Sequence, residues 1–210
     1  MSSRLIEIFE DENLVDKIKR RLPYLFQLAE LESSRAGKTG MEVGSVRERV
    51  IAALLIYKFG EANVETEIPI TEPEVDAKLF GKPVSVKTIT GKSFGGVKLI
   101  WTVDAQKAKE FRENYRPHCD ILLVQINWNA VGGFYCIPLN VQKRLLDRLG
   151  RHNYIKLPIP GTNPRGVEIT KEALSNLVGD SESRSISINW QRTRIEFNSY
   201  KRWVDLWRED

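Results

Sequence analysis

The chain has 210 residues, with 32 Lys and Arg against 28 Asp and Glu, and is 41% hydrophobic and 29% charged. That is the make-up of one globular domain, long enough to bury a core without disulfide or metal staples. The longest apolar run, Val50 to Tyr57, falls well short of the roughly 20 residues that span a bilayer. The opening MSSRLIEIFEDEN lacks a signal-peptide core, so a cytoplasmic protein with no membrane partner is expected. Cys119 and Cys136 belong to no Cys/His cluster and read as buried free thiols of a reducing compartment.

The first elements are helical. Leu14, Val15, Ile18 and Leu22 have helical spacing, and Pro23 is placed to open a second helix running to about Ser33. SSRAGKTGMEVG reads as a loop. Ser45 then starts a helix to about Phe59, with Ser45 and Glu48 as a capping box and Val46, Val50, Leu54 and Tyr57 on one face. Three short strands are expected next, near Asn63 to Ile70, Val75 to Phe80 and Val84 to Ile89. A flexible-looking loop, Thr90 to Gly96, leads to a further strand-like stretch, Val97 to Val103. Asp104 caps a helix to about Tyr115, and Asp120 to Trp128 is an apolar strand. This order implies an α/β core whose last strand returns by a crossover beside the hairpin sheet. Tyr200, Trp203, Val204 and Trp207 also have helical spacing and read first as core, with a dimer surface as the alternative.

The net charge of +4 is too mild to name a partner, but the charges are segregated along the chain. Lys87 to His118 carries seven basic and three acidic residues, and Asn140 to Gly166 six basic and one acidic. Gly60 to Phe80 is the reverse, with six acidic residues and one lysine. An acidic island between basic segments suits phosphodiester chemistry, with carboxylates for a metal and cations for the backbone. Solvated faces of mixed charge are the plainer alternative.

Glu72 to Thr88, EPEVDAKLFGKPVSVKT, is the most specific stretch. With Gly81-Lys82 as the hairpin loop, Phe80 faces Pro83, Lys78 faces Ser85 and Asp76 faces Lys87. Period two puts Glu74, Asp76, Lys78, Ser85 and Lys87 on one face, and Val75, Ala77, Leu79, Val84 and Val86 on the other. A solvated cross-strand ion pair explains Asp76 and Lys87 without chemistry.

In this pattern the chain resembles the PD-(D/E)xK nuclease superfamily over about Ser45 to Trp128. The resemblance implies an α/β fold with a restriction-endonuclease-like core of helix, three-strand meander, helix and strand. Asp76 matches the family's metal-binding aspartate, Ser85-Val86-Lys87 its (D/E)-x-K tripeptide, and Glu48 its helical glutamate. The departure is Ser85, since a neutral hydroxyl is a poor ligand for a hard cation. The missing carboxylate must then come from Glu48, Glu74 or Glu110, in that order of preference.

The implied catalytic set is Asp76, Ser85, Lys87 and Glu48, with Mg²⁺ held by Asp76, Glu48 and the carbonyl of Val86. Lys92, Ser93 and Lys98, and Asn189, Gln191, Arg192 and Arg194, are candidate DNA contacts. The basic stretch Lys143 to Arg165 is a further candidate. Met41, in the glycine-flanked loop before the Glu48 helix, is a candidate wedge between base pairs, a loop residue folded onto the core being the alternative.

Size and layout are similar to Type II restriction endonucleases of ThaI type. That implies double-stranded DNA as substrate, a homodimer, and a cognate DNA methyltransferase as genetic partner. The expected organisation is residues 1–44 as N-terminal helices and loop, 45–138 as nuclease core, and 139–210 as a DNA-binding and dimerisation extension. A resolvase or repair nuclease of the same superfamily, or a non-catalytic DNA-binding module, are the other readings.

Overall fold

Helix α1 (Glu7–Glu10) and the long α2 (Glu12–Glu32) open the fold. The computed structural model describes residues 3–35, 38–39, 42–69, 72, 74–159 and 166–209. A small ribbon, β1 (Ser34–Arg35) and β2 (Lys38–Thr39), precedes α3 (Val43–Phe59). Next come β3 (Val64–Glu65), β4 (Ala77–Leu79), β5 (Lys82–Thr90), β6 (Lys98–Ile100), α4 (Ala105–Asn114), β7 (Asp120–Ile126) and β8 (Ala130–Ile137). The chain continues through α5 (Leu139–Leu149), α6 (Arg151–Tyr154), β9 (Ile155–Lys156), β10 (Val167–Ile169), α7 (Lys171–Val178), β11 (Arg184–Trp190) and α8 (Lys201–Leu206).

The central six-stranded sheet has the order β11-β8-β7-β5-β4-β3. Only β5 and β7 pair in parallel within it, and the chain between them carries α4, which is the expected crossover. Leu122, Val124, Ile126, Val84 and Val86 face one core, shared with α2 and α3. Ile121, Leu123 and Ile89 face a second core, shared with α5, α7 and a small sheet of order β6-β10-β9. Burial on both faces explains why β7 reads as a continuous apolar run.

Several local expectations change. Pro23 lies inside one continuous helix, α2, rather than starting a second. Leu22, Phe26 and Ala29 are buried along it, and their burial outweighs the single backbone hydrogen bond that proline removes. α3 begins at Val43 with Glu42 as N-cap, so Ser45 and Glu48 sit inside the helix and form no capping box. Its buried stripe is Arg47, Ile51 and Leu55, one position on from the expected one, and Tyr57 is exposed. The stretch expected as a strand at Val97 to Val103 is the short β6, which pairs with β10 outside the central sheet.

The β4–β5 hairpin turns at Phe80-Gly81, both with positive φ (49° and 72°), as a two-residue turn of the primed type requires. Ala77 therefore pairs with Val84 and Lys78 with Pro83, and continuing that register brings Asp76 opposite Ser85 instead of Lys87. The shift is by two residues, so every side chain keeps its expected face. Helix α8 departs most, since none of its residues is buried, and Tyr200, Trp203, Val204 and Trp207 are exposed. Among the described residues no helix is long and apolar enough to cross a membrane. Both cysteines are buried and free, and burial pushes the Cys119 thiol up to about 12.

Candidate active site

Asp76 follows from the way the chain enters β4, one residue before Ala77. Its own N–H donates to the Val84 carbonyl at 2.9 Å, and before it the chain is outside the ladder, so the next backbone donor of β5 has no strand opposite. The Asp76 carboxylate takes that place, with Oδ2 accepting from the Val86 N–H at 2.6 Å, from Ser85 Oγ at 3.3 Å and from Lys87 Nζ at 3.3 Å. Among the described residues Oδ1 of Asp76 accepts no hydrogen bond. In an extended strand one residue's N–H and C=O point the same way, so the Val86 carbonyl opens beside Asp76, past the end of β4. The pairing read from the sequence thus holds by a diagonal contact, and Ser85, 1% exposed, orients Asp76 rather than facing solvent.

These groups form one wall of a cavity of about 550 Å³ lined by Glu48, Glu74, Asp76 and Lys87. Lys98, Leu99, Ile100, Trp101, Thr102 and Lys107 complete its lining. Burial first, and then the Asp76 charge, raise the Glu48 carboxyl above its usual range, while Lys87 opposes the rise. Burial likewise lifts Glu74 to about 7, against Lys87 and a hydrogen bond from Tyr115. Glu74 also has a φ of 73°, rarely adopted by a residue with a side chain. Such strain persists where the surroundings hold it, commonly at functional sites.

Of the three carboxylates weighed for the position vacated at Ser85, Glu48 and Glu74 line the cavity, and Glu110 is exposed on α4, accepting from Gln106 at 2.8 Å. Among the described residues no three His, Cys, Asp or Glu side chains form a group that holds a metal alone. The donor set suits Mg²⁺, which is held by one or two carboxylates with water and substrate phosphate completing its shell. A free Asp76 oxygen, the Glu48 carboxylate and a main-chain carbonyl supply that number of hard oxygens.

The candidate DNA contacts fall in several places. Lys98 lines the cavity. Lys92 and Ser93 are exposed in the loop after β5, whose Gly91 and Lys92 carbonyls accept from Gln125 at 3.2 and 3.1 Å. Thr90 lies beside Ile126 and Ala130 beside Trp190, so the loop and the segment after β11 lie at the same end of the sheet. There Asn189, Gln191 and Arg194 are exposed, with Gln191 donating to Asn189 at 3.2 Å. Arg192 instead pairs with the buried Glu30 at 2.7 Å and covers the Trp128 ring at 4.2 Å. The basic stretch from Lys143 lies at the opposite end, where Arg144 is taken up by Asp180 and Glu182. Met41 and Arg165 lie outside the described residues.

Sequence reading missed Trp101, Lys107 and Tyr115. Alternation with the buried Val97 and Leu99 puts Trp101 inward, but β6 ends at Ile100 and releases it. Tyr115 carries no local signal of its tie to Glu74, since the contact joins distant segments.

Comparison with known proteins gives the family. A family model described as restriction endonuclease ThaI matches residues 8–209. No curated protein matches. A solved structure described as a restriction endonuclease in complex with substrate DNA is similar at 62% identity and a TM-score of 0.93, covering 98% of this chain and 99% of that one. Match and geometry converge on one conclusion: the chain belongs to the ThaI restriction endonuclease family.

Proposed function

We propose that the chain is a Mg²⁺-dependent endonuclease that cuts double-stranded DNA at a specific sequence, working in the cytoplasm as a homodimer beside a cognate methyltransferase. The observation that carries this reading is the convergence of Asp76, Lys87, Glu48 and Glu74 in one cavity, in a chain of restriction-endonuclease kind. Asp76 through Oδ1, Glu48, and the Val86 carbonyl would hold the cation. When bound, Mg²⁺ supplies a Lewis acid at the scissile phosphate and charge stabilisation at the leaving oxygen. Lys87, 3.3 Å from Asp76 Oδ2, holds the attacking water in line and stabilises the negative charge that develops on the phosphate. Ser85 and the Val86 N–H fix the Asp76 rotamer, so the carboxylate would receive the cation without reorganising. Lys92, Ser93 and Lys98 contact phosphates, and Asn189, Gln191 and Arg194 offer base-reading side chains at the same end of the sheet. Arg192 reaches DNA only by leaving Glu30. Met41 is retained as a candidate wedge.

Incubating supercoiled plasmid with purified protein and Mg²⁺ tests the reading. Discrete fragments with one end sequence are expected, and Asp76→Ala and Lys87→Ala should each abolish cutting while still retarding DNA in a gel. Wild-type cutting by either variant removes the site assignment. Cutting of branched DNA alone points to a resolvase, and binding without cutting to a non-catalytic module.

A further inference from the structure

The part of the cavity lining contributed by residues 98–107 has features that metal chemistry does not need. Trp101 lines the cavity yet is 68% exposed, and Val103 beyond it is 82% exposed. An indole left in water at the mouth of a polar cavity loses hydrophobic free energy unless something covers it. The Lys98 ammonium lies over the Trp101 ring at 3.6 Å, which engages one face of the indole and leaves the other for a ligand.

The backbone fixes this pair. β6 is held by β10 through a register shift between Val167 and Glu168. Just before that bulge, Gly166 has a φ of 129°, and a Cβ there would lie 2.5 Å from the Ile100 carbonyl oxygen and 3.3 Å from Lys98 Cδ. Only glycine lets β10 approach so closely, and the approach confines the Lys98 stem. Lys107, in the first turn of α4, brings a second exposed cation to the same cavity.

An exposed aromatic ring with two lysines in the same cavity lining as Asp76 and Lys87 has the chemistry of a nucleotide platform. We propose that Trp101, Lys98 and Lys107 form a nucleotide-holding wall, with the indole packed on the base or deoxyribose next to the scissile phosphate and the two lysines on the flanking phosphates. This rests on the nuclease reading above and adds to it a substrate-binding residue, Trp101, and a place for the strand being cut.

Wild-type protein first cuts a plasmid with Mg²⁺, and the mapped ends define a short synthetic duplex centred on the cut. With this duplex, Trp101→Ala should weaken DNA binding and raise KM by about 5- to 100-fold, a larger change than in kcat. Trp101→Phe, which keeps a ring, should recover most of the loss. In the non-cutting Asp76→Ala background the duplex should quench tryptophan emission, and adding Trp101→Phe should remove much of the quench. If Trp101→Ala binds and cuts like wild type and the quench is unchanged, the wall is overturned while the nuclease reading stands. If Trp101→Ala splits a dimer in sedimentation but leaves affinity per site unchanged, Trp101 belongs to a protein interface and the proposal falls. If wild-type protein cuts no plasmid, the nuclease reading fails and the proposal with it.

Discussion

Ser85 stands where the tripeptide pattern has a carboxylate, and its hydroxyl reaches Asp76 Oδ2 at 3.3 Å. A lost hydrogen bond to a charged group that stays held by the Val86 N–H and Lys87 is worth on the order of 1.5 kcal/mol. Ser85→Ala should therefore cost about 1.5 kcal/mol in denaturant unfolding and slow single-turnover cutting by no more than about tenfold; a total loss of activity in a folded variant would show that the hydroxyl has a more direct role. Glu74 carries a pH signature. Its carboxyl rises from 4.5 to about 7, chiefly by burial, so the folded protein holds a proton there that the unfolded chain has released. This contribution to stability is full below the unfolded value and is lost as pH rises through about 7. Metal-free protein should thus lose up to about 3 kcal/mol between roughly pH 5 and pH 8 in urea unfolding through this group, and Glu74→Gln should flatten that slope; equal slopes in the two proteins would refute it. Asp76, Lys87, Glu48 and Glu74 were legible because strand alternation and motif order are local. Trp101 was not, because β6 ends one residue before it and breaks the alternation, and Tyr115 was not, because Glu74 is remote in sequence.

The carboxylate of Glu30, on α2, joins four elements. It accepts from Arg47 of α3 at 2.6 Å, from Arg192 after β11 at 2.7 Å and from Trp128 Nε1 at 2.9 Å. One turn away Gln27 clamps the backbone of Thr193 in both directions, at 2.7 and 2.9 Å. Arg47 is buried, so Glu30→Ala leaves an uncompensated charge and should cost about 3–5 kcal/mol in denaturant unfolding. The half-exposed Arg192, changed to Ala, should cost nearer 1 kcal/mol. Similar losses for the two would mean that Arg47 finds another partner. The four-residue spacing of Leu14, Ile18, Leu22 and Phe26 puts Glu30 on the buried face of α2, but nothing local names its partners, which lie as far as 162 positions away. The other element-scale surprises share this origin. Pro23 and Ser45 carry true local signals for a helix start, and tertiary packing overrode both, while the hairpin register moved because Phe80 adopts the positive φ that a Gly81-Lys82 loop would not have asked of it.

At the scale of the whole molecule, the three-layer α/β arrangement and the crossover between β5 and β7 follow from element order, but the strand order does not. β11 pairs with β8 along its whole length, so a strand from residues 139–210, expected as an extension, completes the central sheet, whose last strand the sequence put at Asp120 to Trp128. Helix α8 then extends beyond it with Tyr200, Trp203 and Trp207 exposed, Trp207 at 90%. A lone domain seldom leaves such an apolar surface in water, and two copies of the cavity related by a two-fold axis that matches the DNA would let an enzyme cut both strands of a duplex in one encounter. Sedimentation should accordingly give roughly twice the 24.1 kDa of the single chain, and Trp203→Ala with Trp207→Ala should weaken that association. The same double variant should convert supercoiled plasmid to nicked circles that accumulate before linear product, because each strand is then cut in a separate encounter. Direct conversion to linear DNA by a variant that sediments as a monomer would place the second cut in the same cavity, and α8 would be left without a role in assembly.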